Sequence, residues 1–152
     1  MPYCQTKYFE TIPYEEDSVL HFPAGLPGFE SERRFLSLAQ PAHQPLVFLQ
    51  SLTTPDLCFV ALPVLAIEPS YRLEIDEPDL ELLGLETTTD AANSRSLLKL
   101  ALVTIAETGI TANLLAPIVI NTRSLLAVQA IAPSQQYSHL HPLGEVQEAV
   151  CS

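Results

Sequence analysis

The chain has 152 residues, of which 47% are hydrophobic, and 18 acidic side chains against 7 basic ones give a formal net charge of −11. This length fits a single domain that can bury its own core, and the apolar content does not suit a disordered chain. The acidic balance repels phosphate backbones, which argues against direct nucleic-acid binding, and it steers basic protein partners inward as well as keeping the chain soluble.

Leu114 to Ile120 is the longest clean apolar run, far short of the roughly 20 residues needed to span a bilayer. The start, Met1-Pro2-Tyr3-Cys4-Gln5, has neither a basic cluster nor an apolar leader. A cytoplasmic location without a membrane partner is therefore expected. Cys4, Cys58 and Cys151 form no C-x-x-C pair, so neither a disulfide framework nor a metal cluster is expected, and no cofactor is implied.

Thirteen prolines are scattered along the chain, which disfavours long helices. The short apolar stretches predict strands at Tyr8–Ile12, Val19–Phe22, Phe35–Leu38, Leu46–Leu52, Leu57–Leu62, Tyr71–Ile75, Leu97–Ile105, Leu115–Ile120 and Ser124–Ile131. Several are continuous rather than alternating, which implies burial on both faces. Thr53-Thr54-Pro55-Asp56 reads as a tight turn between two strands, and Asn121-Thr122-Arg123 as a hairpin connection.

One short helix is predicted, with Asp76 as cap, Pro78 in its first turn, Leu80 and Leu83 on one face and Gly84 as stop. Weaker helical turns are expected at Glu30–Arg34 and Asp90–Arg95. The expected architecture is mainly β: a single antiparallel, barrel-like domain over residues 1–143 with one or two short helices, followed by a flexible tail over 144–152.

Catalytic patterns are missing from the sequence. There is no phosphate-binding glycine loop, no H-E-x-x-H and no G-x-S-x-G. Cys58 lies in Leu57-Cys58-Phe59-Val60, which reads as core. The acids cluster at Glu15-Glu16-Asp17 and at Glu74, Asp76, Glu77, Asp79 and Glu81, without Ca²⁺-loop spacing. His139 and His141 would share a face of an extended chain, but no third ligand is near them in sequence.

Three segments are distinctive. Phe22-Pro23-Ala24-Gly25-Leu26-Pro27-Gly28-Phe29-Glu30 combines two glycines, two prolines and three large apolar side chains, which predicts a rigid irregular turn tacked onto the core, either a structural corner or a recognition loop. Leu49-Gln50-Ser51-Leu52 and Pro55-Asp56-Leu57-Cys58-Phe59-Val60 form a hairpin signature. Thr111-Ala112-Asn113-Leu114-Leu115-Ala116-Pro117-Ile118-Val119-Ile120-Asn121 places a proline inside an apolar strand, where an edge or a bulge is expected.

These segments, in this order, resemble the FliW family of flagellar assembly factors. The resemblance rests on Thr6, Phe9, Ile12, Phe22 and Gly25–Phe29 at the start, the hairpin signature, the Thr111–Asn121 block, and His141-Pro142-Leu143 at the end. It departs from the family at Glu10, where a glycine is usual, and at Tyr137-Ser138-His139.

The resemblance implies a barrel-like, non-enzymatic protein. Such a protein binds and antagonises CsrA, a basic RNA-binding repressor of flagellin mRNA, and is drawn away by flagellin. The expected contact surface comprises Gly25, Leu26, Pro27, Gly28 and Phe29 of the loop, Asp76, Glu77 and Asp79 of the acidic stretch, and Asn113, Leu114, Pro117 and Asn121 of the presumed edge. Two rival readings stand beside it. A small barrel binding an apolar ligand requires an internal cavity, and a hydrolase or isomerase requires carboxylates converging in a cleft.

Overall fold

The computed structural model describes residues 2–4, 6–7, 11–39, 44–71, 75, 77–85, 97–131 and 137–144. These contain β1 (Tyr3–Cys4), β2 (Ile12–Pro13), a 3₁₀ turn at Glu16–Ser18, β3 (Leu20–His21), β4 (Arg34–Leu38), β5 (Val47–Ser51), β6 (Cys58–Pro63), α1 (Val64–Ile67) and α2 (Glu77–Leu82). The chain continues through β7 (Leu97–Ala106), β8 (Gly109–Ala112), β9 (Ile118–Asn121), β10 (Leu126–Gln129) and β11 (His141–Gly144).

The sheet runs β11-β8-β7-β6-β5-β4-β3-β10-β9, and β9 also pairs with β7, closing seven of these strands into a barrel. β7 makes this possible because it is long enough to serve two neighbours on one side. Its residues Leu97 to Leu100 pair with β9, while Val103 to Ala106 pair with β8. β8 and β11 thus leave the barrel as a side extension. β10 meets β3 in parallel at Leu126 and His21, and every other ladder of the described residues is antiparallel.

The continuous apolar runs are explained by burial on both faces. Inside the barrel lie Leu20, Phe22, Phe35, Leu49, Ala61, Leu100, Ile118, Ile120 and Ala127. Their sequence neighbours Ala101, Val119 and Val128 point outward into a second core beneath Val64, Tyr71, Ile75, Leu80 and Leu83. On another side, Leu36 is covered by Cys4 and Val19. Each fully buried large apolar side chain contributes about 1.5–3 kcal/mol.

α2 ends as its sequence predicts. Gly84 adopts φ 76, its N–H reaches Glu81 O at 3.0 Å and the Leu85 N–H reaches Leu80 O at 2.9 Å, so the last turn's carbonyls are satisfied.

Several boundaries differ from expectation. β9 begins at Ile118, because Pro117 lies in the loop before it, and β9 has partners on both sides, so it is not an edge. Glu30–Arg34 is not a helical turn: Arg34 opens β4, paired with His21. Tyr71 and Ile75 lie outside any strand and pack over the outer core. α1, β8 and β11 were not anticipated. Residues 8–10 of the first expected strand, residues 72–74, Asp76, the Asp90–Arg95 turn and residues 145–152 of the expected tail lie outside the described residues.

Candidate functional site

Register places two connections on one rim of the barrel. His21 pairs with Arg34, and Phe35 pairs with Ser51, so the β3–β4 loop and the β5–β6 turn open on the same side. β10 runs parallel to β3 from Leu126 beside His21, and Asn121 pairs with Leu97 at the start of β7, so the β9–β10 turn lies at the opposite end.

The β3–β4 loop is the most shaped of these. Leu26 and Phe29 exchange backbone hydrogen bonds of 3.3 and 2.7 Å across Pro27-Gly28, a sequence and a Gly28 φ of 83 that suit a type II turn. Gly25, at φ 69, has its α-carbon against the backbone of Glu30, where an added Cβ would stand 2.4 Å from the carbonyl oxygen. Phe22 and Leu26 are buried, and Phe22 meets the Phe35 ring edge-on at 5.3 Å. Phe29 stays 43% exposed while its ring meets Phe59 edge-on at 5.7 Å. The loop thus presents Pro27, Gly28 and part of Phe29 on a base that cannot easily deform.

Beneath the loop lies a buried polar cluster. Ser51 donates its hydroxyl to Glu32 Oε2 at 2.6 Å, Thr54 donates to Glu32 Oε1, and Ser51 Oγ accepts the N–H groups of Thr53 and Thr54. The Gln50 side-chain amide donates to Ser51 O at 3.0 Å and Pro55 O at 3.1 Å. The Gln50-Ser51 signature therefore serves to shape the β5–β6 turn.

The Asn113–Asn121 block likewise specifies the fold. Asn113 Oδ1 accepts the N–H groups of Leu115 and Ala116, and Asn121 donates to Leu83 O at 2.8 Å. Leu114, Pro117 and Asn121 are buried, and Pro117 O accepts the Ala130 N–H. The side chains of these three pack into the protein's own interior. In α2, Glu77 is exposed and Asp79 half-buried, both in the first turn.

The barrel interior holds the packed side chains described above. An apolar concavity of about 520 Å³ lies instead on the outer surface, over β6 and β7. Its floor residues Val60, Leu62, Val103 and Ile105 were read in the sequence only as strand core. Their outward alternation with Ala61 and Leu102 was the available signal, hidden because both faces are apolar.

Burial raises the Cys58 thiol to about 11 and also raises that of Cys4, the opposite of an activated nucleophile. Burial, with Tyr137 nearby, raises the Tyr71 phenol to about 12, and its hydroxyl donates to Leu114 O at 2.6 Å. Among the described residues, no group of three or more His, Cys, Asp or Glu side chains is placed to hold a metal ion.

The profile of the family described as FliW protein matches residues 3–143. The flagellar assembly factor FliW of Syntrophomonas wolfei is 34% identical over 140 residues, covering 91% of this chain and 86% of the relative. The factor of the same name from Bacillus subtilis is 32% identical over 141 residues, covering 91% and 94%. A crystal structure of the flagellar assembly factor FliW superposes with a TM-score of 0.82 at 33% identity, covering 94% of this chain and 97% of that one. Sequence, barrel topology and coverage agree, and this chain belongs to the FliW family.

Proposed function

We propose that this chain is a flagellar assembly factor that works in the cytoplasm by binding other proteins, without a chemical step. In this reading it binds a CsrA-type RNA-binding repressor and relieves repression of flagellin synthesis, and newly made flagellin competes it away. The observation that carries the reading is family membership across nearly the whole chain. The net charge of −11 supports it, since an acidic protein suits a basic RNA-binding partner.

The proposed contact surface is the rigid Pro27–Phe29 tip together with the acidic first turn of α2. The partly exposed Phe29 ring supplies apolar anchoring, while Glu77 and Asp79 set encounter rate and register. Asp76 is kept in the proposal from its sequence position beside them.

The test is capture of a purified CsrA-type repressor and of flagellin by the intact protein at low and high salt. Salt-sensitive binding of the repressor, relieved by flagellin, is the expected result. If neither protein is captured at low salt, the reading is wrong.

A further inference from the structure

The β3–β4 loop leaves the barrel and returns to it by two unlike legs. The outgoing leg is anchored by apolar packing, since Phe22 and Leu26 are buried. The returning leg, residues 30–33, has no apolar anchor. Glu30, Ser31 and Arg33 are exposed there, and the one buried side chain is that of Glu32, at 7% exposure. The Glu32 N–H donates to Phe29 O at 2.9 Å and closes the tip from behind. The next residue, Arg33, accepts the Phe22 N–H at 2.8 Å and shuts the loop.

The Glu32 carboxylate reaches out of its own loop. Its two oxygens accept the hydroxyls of Ser51, at the end of β5, and of Thr54, in the β5–β6 turn. Ser51 Oγ in turn accepts the N–H groups of Thr53 and Thr54, at 3.0 and 2.9 Å. One side chain therefore holds the end of β5, the turn after it and the back of the tip. An apolar side chain could fill the same space, but it would strand the fully buried Ser51 hydroxyl without its acceptor.

We propose that Glu32 is a positioning residue: it couples the β5–β6 turn to the Pro27–Phe29 tip, so that recognition at the tip depends on a Thr54 hydroxyl consumed inside the protein. A tip shaped in advance avoids the cost of ordering it at the moment of contact. The proposal rests on the reading of this tip as a contact surface and adds the residue that sets its shape.

Thr54 is the cleanest handle, because it lies 22 residues from Glu32 and outside the tip. Thr54→Val keeps the side chain's shape and removes the hydroxyl, whereas Thr54→Ser keeps the hydroxyl. Hydrogen exchange at the Phe29 N–H, which donates to Leu26 O across 2.7 Å, reads the tip in the full chain without any partner. Thr54→Val should speed this exchange about tenfold, and Thr54→Ser should leave it at the native rate. Glu32→Leu should speed it at least as much as Thr54→Val. Tyr71→Phe, a change in the outer core, should leave it unaltered. A purified CsrA-type repressor, titrated into the same variants, should bind Thr54→Val more weakly and Thr54→Ser normally.

The proposal is overturned if Thr54→Val exchanges at the native rate, if Thr54→Ser exchanges as fast as Thr54→Val, or if Tyr71→Phe matches them both. It is also overturned if Phe29→Ala loses the repressor while Thr54→Val, with its tip loosened, binds it normally. Normal binding by Phe29→Ala would instead remove the tip from the contact surface, and failure of the native chain to capture the repressor would sink the proposed function. Either result overturns the part that Glu32 plays in recognition, and the exchange pattern alone then decides the coupling.

Discussion

The side-chain amide of Asn121 donates to the backbone carbonyl of Leu83 across 2.8 Å, tying the end of β9 to the end of α2. Asn121 Oδ1 meanwhile accepts the Arg123 N–H at 3.0 Å, so one buried side chain closes the hairpin turn and anchors the helix. Asn121→Leu removes both bonds and leaves buried backbone groups poorly satisfied. A loss of about 2 kcal/mol is expected, measured as a fall in the urea midpoint at unchanged slope.

The two glycines of the β3–β4 loop should respond differently to alanine. Both adopt positive φ, at 69 for Gly25 and 83 for Gly28, which costs alanine about 1–2 kcal/mol. A Cβ at Gly28 meets nothing within 4 Å, whereas at Gly25 it collides with the Glu30 backbone. Gly25→Ala is expected to lose clearly more stability than Gly28→Ala, and thermal melts of the two variants side by side give the comparison.

Alkaline pH should weaken the fold through Tyr71. Burial raises its phenol from an ordinary 10.0 to about 12 in the folded protein. Because the folded value is the higher one, the stabilisation is fully present below pH 10 and is lost as pH rises towards 12. Cys58, raised from 9.0 to about 11, adds an earlier decline of the same sign. The urea midpoint should therefore fall across this range, and Tyr71→Phe should be less stable at neutral pH yet fall less steeply above pH 10.

Native thiols should react slowly. Cys4 is 2% exposed and Cys58 half-buried, and both thiols are raised by burial, so little thiolate is available at pH 8. Alkylation followed by mass spectrometry should leave both residues largely unmodified in the native protein and label all three cysteines of the chain in guanidinium.

Charge reversal on α2 should act on association rate. Glu77→Lys with Asp79→Lys is expected to slow encounter with a basic repressor several-fold at low salt, with the difference shrinking as salt rises. Stopped-flow measurements read this directly, and an unchanged low-salt rate removes α2 from the contact surface.

Much of the architecture was legible because proline, glycine and unbroken apolar runs carry strong local meaning. Leu100-Ala101-Leu102 and Ile118-Val119-Ile120 announced burial on both faces, and each alternates between the barrel interior and the outer core. Gly84 announced the end of α2, and the prolines and glycines of residues 22–30 announced a shaped loop. Other features depended on contacts far away in sequence. Val64-Leu65-Ala66-Ile67 is rich in strand formers, yet it forms a helical turn because Val64 is buried against the outer core. Pro117 suggested an edge, but it falls just before β9, whose own residues need partners on both sides. Of the expected contact residues, Pro27, Gly28, Phe29 and Glu77 are exposed, whereas Leu26, Leu114, Pro117 and Asn121 face inward, a distinction local pattern does not encode.

Because one unbroken β7 is stitched to β9 at its start and to β8 at its finish, neither half can slide by itself. A shift by one residue would swap inward for outward side chains along the whole strand, so only whole-register jumps preserve the pattern. The closed ring and its outlying flap are thereby held in phase.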